Sequence, residues 1–342
     1  MENSYFIFSK DDSKIEIERF HNCIWEFKDN SSLVEFGLEI KQESLLSKES
    51  IELDLYIPWL TTKSIKIDLY EKLKDSDNSR FIFNDSVLNT KNFDGGRGKL
   101  GVTHYFKSRN VLSILPLSVE IVDKKACLKI DLKHYNEINE EKGNVYVRFS
   151  LKPESGYIST RKNGIAKSTV IYDIKINERR NIPDDLIDEL NTKNLCKIKD
   201  CFSFNILPNS YDIVFFDNTA LKNVRMLEYN AFKKYIGDDR VRKDDLMVVF
   251  NKKRDADSFS FFSIYAKERI GMWQFLVAIF FNMICGLLFF IASSRISSAT
   301  DFSYFELYKK SPIELTTALV IIVAIFIIFL WPKIKGFTKS IK

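Results

Sequence analysis

GMWQFLVAIFFNMICGLLFFIA, residues Gly271–Ala292, sets the class of this chain: it carries no charged residue and holds 12 Leu, Ile, Val or Phe. A bilayer core about 30 Å thick is crossed by roughly 20 apolar residues in helical form. The favourable insertion of those side chains, roughly −0.3 to −0.6 kcal/mol each, outweighs the cost of Asn282. A second uncharged run, LTTALVIIVAIFIIFLW at Leu315–Trp331, follows a polar connector. One such run suits the buried helix of a soluble core, but two neighbouring runs predict a C-terminal transmembrane hairpin. Its spans are placed at about 271–292 and 313–331, within a membrane region 258–342.

The flanks predict an orientation. Lys252, Lys253, Arg254, Lys267 and Arg269 precede the first run, and Lys333, Lys335, Lys339 and Lys342 follow the second. The connector holds only Arg295, Lys309 and Lys310, which by the positive-inside rule predicts a multi-pass protein with both termini cytoplasmic. Trp273 and Trp331 stand near the ends of their runs, where indole rings favour the interface. The first 20 residues include acidic positions and no long apolar stretch, so they do not read as a signal peptide.

The net charge of +5 is a property of the membrane flanks. Residues 251–342 carry 12 cations and 6 anions, which leaves residues 1–250 at about −1, with 39 cations against 40 anions. Any anion site in the soluble part must therefore be local. Five scattered cysteines and three histidines show neither a disulfide framework nor metal-ligand spacing, so no metal and no cofactor is expected.

Upstream, the pattern alternates with period two. IELDLYI (Ile51–Ile57), SIKIDLY (Ser64–Tyr70), NVYVRFSL (Asn144–Leu151) and STVIYDIKI (Ser168–Ile176) each put apolar residues on one face. Further strands are expected at Tyr5–Ser9, Ile15–Phe20, Leu33–Ile40, Phe81–Phe83, Val102–Phe106, Val111–Val122 and Ala126–Leu132. The expected fold is therefore mainly β, an antiparallel sandwich or barrel over 1–177. A smaller α+β extension is expected over 178–257, with a helix at Pro183–Thr192 and another at Thr219–Ile236 that Gly237 stops. Strands are read at KIKDCFSFNIL, YDIVFFDN and LMVVF between and after them, and Ser258–Ile270 is read as an interfacial helix or an extension of the first span.

No nucleophile elbow, H-E-x-x-H, Walker A or dinucleotide fingerprint occurs, so the chain does not read as an enzyme. DGGRGKLG (Asp94–Gly101) shares only composition with a phosphate loop, because Leu100 stands where Ser or Thr should follow Lys99. Its plainer reading is an exposed turn; its functional reading is a mobile anion-contacting loop using Arg97 and Lys99. KPESGYISTRKNG (Lys152–Gly164) offers Arg161 and Lys162 in a turn, with Tyr157 for stacking on a base, or is an ordinary hairpin tip. With Arg148 nearby on its strand, and His104 and Arg109 as weaker additions, the two loops would make a nucleotide or oligonucleotide pocket if they converge. Within the spans, Asn282 and Gly286 share a helix face suited to helix packing or pore lining, and Glu314 stands at the mouth of the second run.

A β-rich soluble part made of IELDLYI-type strands, followed by GMWQFLVAIFFNMICGLLFFIA and LTTALVIIVAIFIIFLW, resembles the membrane effectors of bacterial anti-phage defence, in particular Hailong-type channel effectors. The resemblance covers the arrangement of the whole chain and no diagnostic motif. It implies an inner-membrane homo-oligomer, a tetramer, that forms a ligand-gated channel. It also implies a soluble domain that senses a nucleotide or short oligodeoxyadenylate made by a partner nucleotidyltransferase. The alternative from a different class is a membrane-anchored scaffold or receptor that recruits a cytosolic partner through an exposed strand edge.

Overall fold

The structure, a computed structural model, describes residues 3–10, 14–94, 98–138, 141–153, 158–164, 166–296, 309, 313–314 and 316–324. Met1–Glu268 form one compact unit and Arg269–Lys342 a second.

In the first unit the alternating sequences form strands β1 (Asn3–Ser9), β2 (Glu16–Glu26), β3 (Ser32–Ile40), β4 (Ser50–Tyr56), β5 (Ile65–Asp68) and β6 (Val87–Asn92). These are followed by β7 (Val102–Phe106), β8 (Leu112–Ile114), β9 (Ser118–Val122), β10 (Lys125–Asp131), β11 (Asn144–Lys152) and β12 (Thr160–Asn163). The later strands are β13 (Lys167–Ile176), β14 (Asn194–Leu195), β15 (Lys197–Pro208), β16 (Asp212–Phe216), β17 (Leu221–Met226), β18 (Leu246–Arg254) and β19 (Phe259–Glu268). Helices are short: α1 (Tyr70–Leu73), α2 (Ser76–Phe83), α3 (Lys133–Glu137), α4 (Ile187–Thr192) and α5 (Tyr229–Ile236).

Two open sheets result. One runs β16-β19-β13-β1-β4-β10-β9, with β12 on β13 and β14 on β1; the other runs β17-β18-β15-β2-β3-β11-β8-β7-β6, with β5 on β11. The expected antiparallel arrangement is corrected to a mixed one, because β1 pairs parallel with β13, β2 with β15 and β8 with β11. Parallel neighbours need long crossovers, and strands late in the chain return here to lie beside the first two. The main core lies between the sheets. Leu53, Leu55, Ile174 and Phe261 from one meet Phe20, Phe36, Val147 and Val249 from the other. Each such fully buried side chain contributes roughly 1.5–3 kcal/mol.

Five local expectations change. Phe81–Phe83 is the end of α2, not a strand, since the Asp75 side chain caps the helix through the Asp77 amide and Asn84 closes it in the left-handed region at φ 51°. Thr219–Ile236 is not one helix: its first half pairs as β17 with β18, and only α5 is helical. Ser258–Ile270 holds no helix, because Phe259, Phe261, Ser263 and Tyr265 turn inward on β19, which pairs along its length with β13. The first unit therefore reaches Glu268, eleven residues past the expected 257 boundary, and β15 and β18 of the expected extension lie inside the ten-stranded sheet. Arg161 and Lys162 lie on β12, not in a turn.

In the second unit, the most apolar 18-residue stretch of α6 (Met272–Ile296) has a mean hydropathy of 2.6. At 1.5 Å per residue its 23 apolar-rich residues reach about 35 Å, long enough to cross a bilayer. Met272, Trp273, Phe280 and Phe290 are exposed around it, as lipid-facing side chains are. Of the second run, residues 313–314 and 316–324 are helical and the rest falls outside the described residues. Among the described residues one helix, not two, is long and apolar enough to span a membrane.

The sheets are tied by a buried carboxylate. Glu26 of β2 accepts from Tyr172 Oη of β13 at 3.0 Å and from Ser32 Oγ at 3.1 Å, and pairs with Arg161 of β12. Replacing Arg161 by Met is expected to destabilise the protein by about 2–4 kcal/mol. That lies at or below the usual cost of orphaning a buried charge because Arg161 keeps 23% of its side-chain exposure. Denaturant unfolding of the detergent-solubilised protein checks this; a change under about 0.5 kcal/mol would remove the clamp from the account.

Candidate functional site

Strand alternation gives the ten-stranded sheet two apolar faces. On β15, Cys201 and Leu207 point into the core while Phe202, Phe204 and Ile206 face the other way. On β18, Val249 and Met247 point inward while Val248 and Phe250 face out. On β2 the outward set is Arg19, His21, Cys23 and Trp25. An outward face this apolar has to be covered, and α2 and α5 cover only part of it. Between their edge (Phe81, Phe83, Asn84, Phe232) and β17 (Lys222, Asn223, Arg225) lies a cavity of about 450 Å³. That is within the 300–1,000 Å³ common for small-molecule sites.

Register arranges its floor in rows. Lys252, Phe202, His21, Gly37 and Arg148 are successive partners across β18, β15, β2, β3 and β11. The next row toward Trp25 holds Phe250, Phe204, Cys23 and Glu35, and the opposite row holds Arg254, Asp200, Arg19 and Glu39. The phenylalanines form a ladder. Phe250 stacks on Phe204 at 4.7 Å and 5°, and on Phe202 at 5.8 Å and 2°; Lys252 Nζ sits over Phe202 at 4.5 Å.

A buried polar network holds the far wall. Arg148 Nε donates to Glu35 Oε2 at 2.7 Å, Tyr235 Oη of α5 donates to the same oxygen at 3.0 Å, and Arg148 Nη1 donates to Tyr146 Oη at 3.2 Å. Tyr146 Oη in turn meets His21 Nδ1 at 2.9 Å. Gly37 makes this possible: a Cβ there would stand 2.2 Å from Tyr146 Oη. Burial opposes the charge of Arg148, but Cys23, Tyr235, Glu35 and Tyr146 around it more than offset that, and its pKa rises. His21 is held neutral, its pKa well below the usual value through burial and then Arg148, Arg109, Arg19 and Lys252. Burial pushes the Cys23 thiol up to about 12, so it is no nucleophile.

Arg109 lies at the rim, bonded to Glu39 Oε2 at 2.8 Å and stacked over Phe83 at 4.7 Å; Arg19 shares that carboxylate at 3.7 Å. The lining thus offers cations, aromatic faces and amides. Its nearby carboxylates are all engaged, Glu35 and Glu39 by arginines and Asp200 by Lys252 and Arg254. Such a surface suits an anion with a flat ring. Among the described residues no group of His, Cys, Asp and Glu could hold a metal ion.

Of the residues singled out from the sequence, Arg109 and Arg148 line this cavity. Arg97 and Tyr157 lie outside the described residues. Lys99 is exposed in a turn organised by Asp94, whose carboxylate accepts from the Gly98 and Lys99 amides, and does not line the cavity. His104 is buried between Thr90 Oγ1 at 2.8 Å and the Leu73 carbonyl at 2.9 Å, a structural position. Arg161 is taken by Glu26, and Lys162 is exposed on β12. Gly286 and Asn282 are exposed on α6, with nothing described within 4 Å of a Cβ at Gly286, and Glu314 is buried. Arg19, His21, Trp25, Phe202, Phe204, Lys222 and Phe250 were not anticipated. The alternation of Arg19, His21, Cys23 and Trp25 opposite a core-facing Phe20 and Ile24 was the available signal.

No protein-family model and no curated protein matches the sequence.

The two buried histidines give a pH dependence. His21 and His104 both have folded pKa values below 6.5, so the unfolded chain takes up protons first as pH falls. Their contribution to stability is full above about pH 6.5 and declines below it, by at most about 1.4 kcal/mol per pH unit for each, until the folded pKa is reached. Tm measured from pH 8 to 5 is expected to fall below pH 6.5, less steeply in His21→Gln; equal slopes would refute the assignment for His21.

Proposed function

We propose that this chain is a membrane-bound receptor whose soluble unit binds an anionic, ring-bearing ligand of the nucleotide class, and that ligand state controls a pore made by its apolar helices in a homo-oligomer. The observation that carries the binding half is the phenylalanine ladder of Phe202, Phe204 and Phe250 set between cationic side chains in one cavity. Stacking on aromatic side chains contributes about 1–3 kcal/mol per base and tolerates any base.

The pore half rests on α6 and on the chain path. Strand β18 contributes Val248 and Phe250 to the cavity, turns into β19, and only three residues separate β19 from α6. A ligand that binds two arrangements of β18–β19 unequally would bias the helix that follows. The reading includes a second span over Leu315–Trp331, both termini on the cytoplasmic side of a bacterial inner membrane, and a role in anti-phage defence, as the resemblance implies. One or two spans per chain enclose no channel, so several copies are required.

A second reading, an anchored scaffold, draws on the free edge strand β16, where Val214 is 61% and Phe215 49% exposed. Exchange of the C-terminal region for an unrelated two-span hairpin separates the two, since a scaffold keeps its function and a pore-former loses it.

Phe250→Ala is expected to weaken binding of purine nucleotides to the detergent-purified protein at least tenfold by calorimetry. Dye-loaded liposomes carrying the wild-type protein are expected to change leakage when nucleotide is added. Failure of every nucleotide to bind, or liposomes that stay sealed in all ligand states, would overturn the corresponding half.

A further inference from the structure

We propose, resting on the nucleotide reading of the same cavity, that its ligand carries two separated phosphate groups, one held on each side of the stacked ring. The cavity has two cationic banks. On one side Arg19 and Arg109 share the single carboxylate of Glu39. On the other, Lys222 lines the cavity and makes no ion pair among the described residues, and beside it, lining the adjoining hollow, Lys252 and Arg254 share the single carboxylate of Asp200, at 2.7 and 3.4 Å. Each bank keeps at least one positive charge beyond its internal pairing.

The ladder lies between them. Lys222 is on β17, Phe250 on β18, Phe202 and Phe204 on β15, and Arg19 on β2, consecutive strands of one sheet. Three inter-strand steps of about 4.8 Å, with an offset of three to four residues along the strands, put Lys222 and Arg19 roughly 18 Å apart at the backbone. Long side chains reaching inward shorten the gap an anion pair has to span. Beyond the cavity, Lys222 continues into a second hollow lined by Thr219, Lys252, Lys253 and Arg254, so the Lys222 bank is open to a group larger than the first hollow holds.

Asp200 decides how the charges are distributed on the ligand. It stands in the row between Arg254 and Arg19, so contiguous phosphates laid along that row would meet a carboxylate. Two phosphates parted by a neutral sugar avoid it. The Trp25 indole N–H, buried at 1% exposure and without an acceptor among the described residues, lines the same cavity, and it gives a ring acceptor a donor to meet. The chemistry selected is a nucleotide phosphorylated on both sides of its sugar, whether as a free 3′,5′-bisphosphate or as the first unit of a 5′-phosphorylated dinucleotide.

Calorimetry of the full-length protein in detergent tests this with four probes in adenine and guanine series: the 5′-monophosphate, the 5′-triphosphate, the 3′,5′-bisphosphate and the 5′-phosphorylated dinucleotide. At least one separated-phosphate probe is expected to bind tenfold or more tightly than the monophosphate and more tightly than the triphosphate. Which of the two leads tells the free bisphosphate from the dinucleotide. Lys222→Gln and Arg19→Gln are each expected to erase that gain, while only one of them weakens the monophosphate. Tm of both variants guards against misfolding. A monophosphate that binds as well as the bisphosphate, or a triphosphate that binds best, overturns the inference and leaves the nucleotide reading standing. No binding of any probe, with Phe250→Ala without effect, overturns both.

Discussion

The bond between Arg148 and Glu35 is the constraint on which the site depends. Neither residue is accessible enough to be held by water, with Glu35 fully buried and Arg148 5% exposed. Two opposite charges in such a place require each other, since losing either leaves an unpaired buried ion. Their pairing fixes more than themselves. Tyr235 is drawn onto Glu35 and seats α5, Tyr146 is held between Arg148 and His21, and Gly37 leaves the gap through which the tyrosine passes. The far wall of the cavity is therefore rigid, while β17 on the near side is an edge strand with Lys222 and Arg225 exposed.

The sheet itself explains why a cavity exists. A strand in a two-layer sandwich commonly shows water one polar face, yet β15 and β18 carry phenylalanines there as well. The chain covers this face with α2 and α5, eight residues each, and they bury Trp25 but stop short of Phe202 and Phe250. The uncovered remainder is half-buried aromatic surface with cations at its margins, a combination that favours a flat anion over water.

Much of the strand pattern was legible from the residues because period two is imposed by the backbone and survives any choice of neighbours. Where the reading failed, a short segment satisfied two periods at once. Leu221, Val224 and Leu227 fit a helical stripe, but pairing with β18 gave the first two of them ladder hydrogen bonds that an isolated helix of that length could not match. At Phe81–Phe83 the caps at Asp75 and Asn84 outweighed the aromatic run. Arg109 and Arg148 reached the site, whereas Lys99 and Arg161 did not, for a reason no loop composition expresses. The cavity lies on the broad face of one sheet rather than at its turns.

By itself the sequence determined the apolar helix and the β class, since hydropathy and alternation are local quantities. The tertiary structure alone decided the mixed pairing of the sheets, the placement of Ser258–Ile270 in β19, and the meeting of Arg19, Phe202, Phe250 and Lys222 around one cavity. Those residues are spread over more than two hundred positions, and only strand register, fixed by how the whole chain buries its apolar faces, brings them side by side.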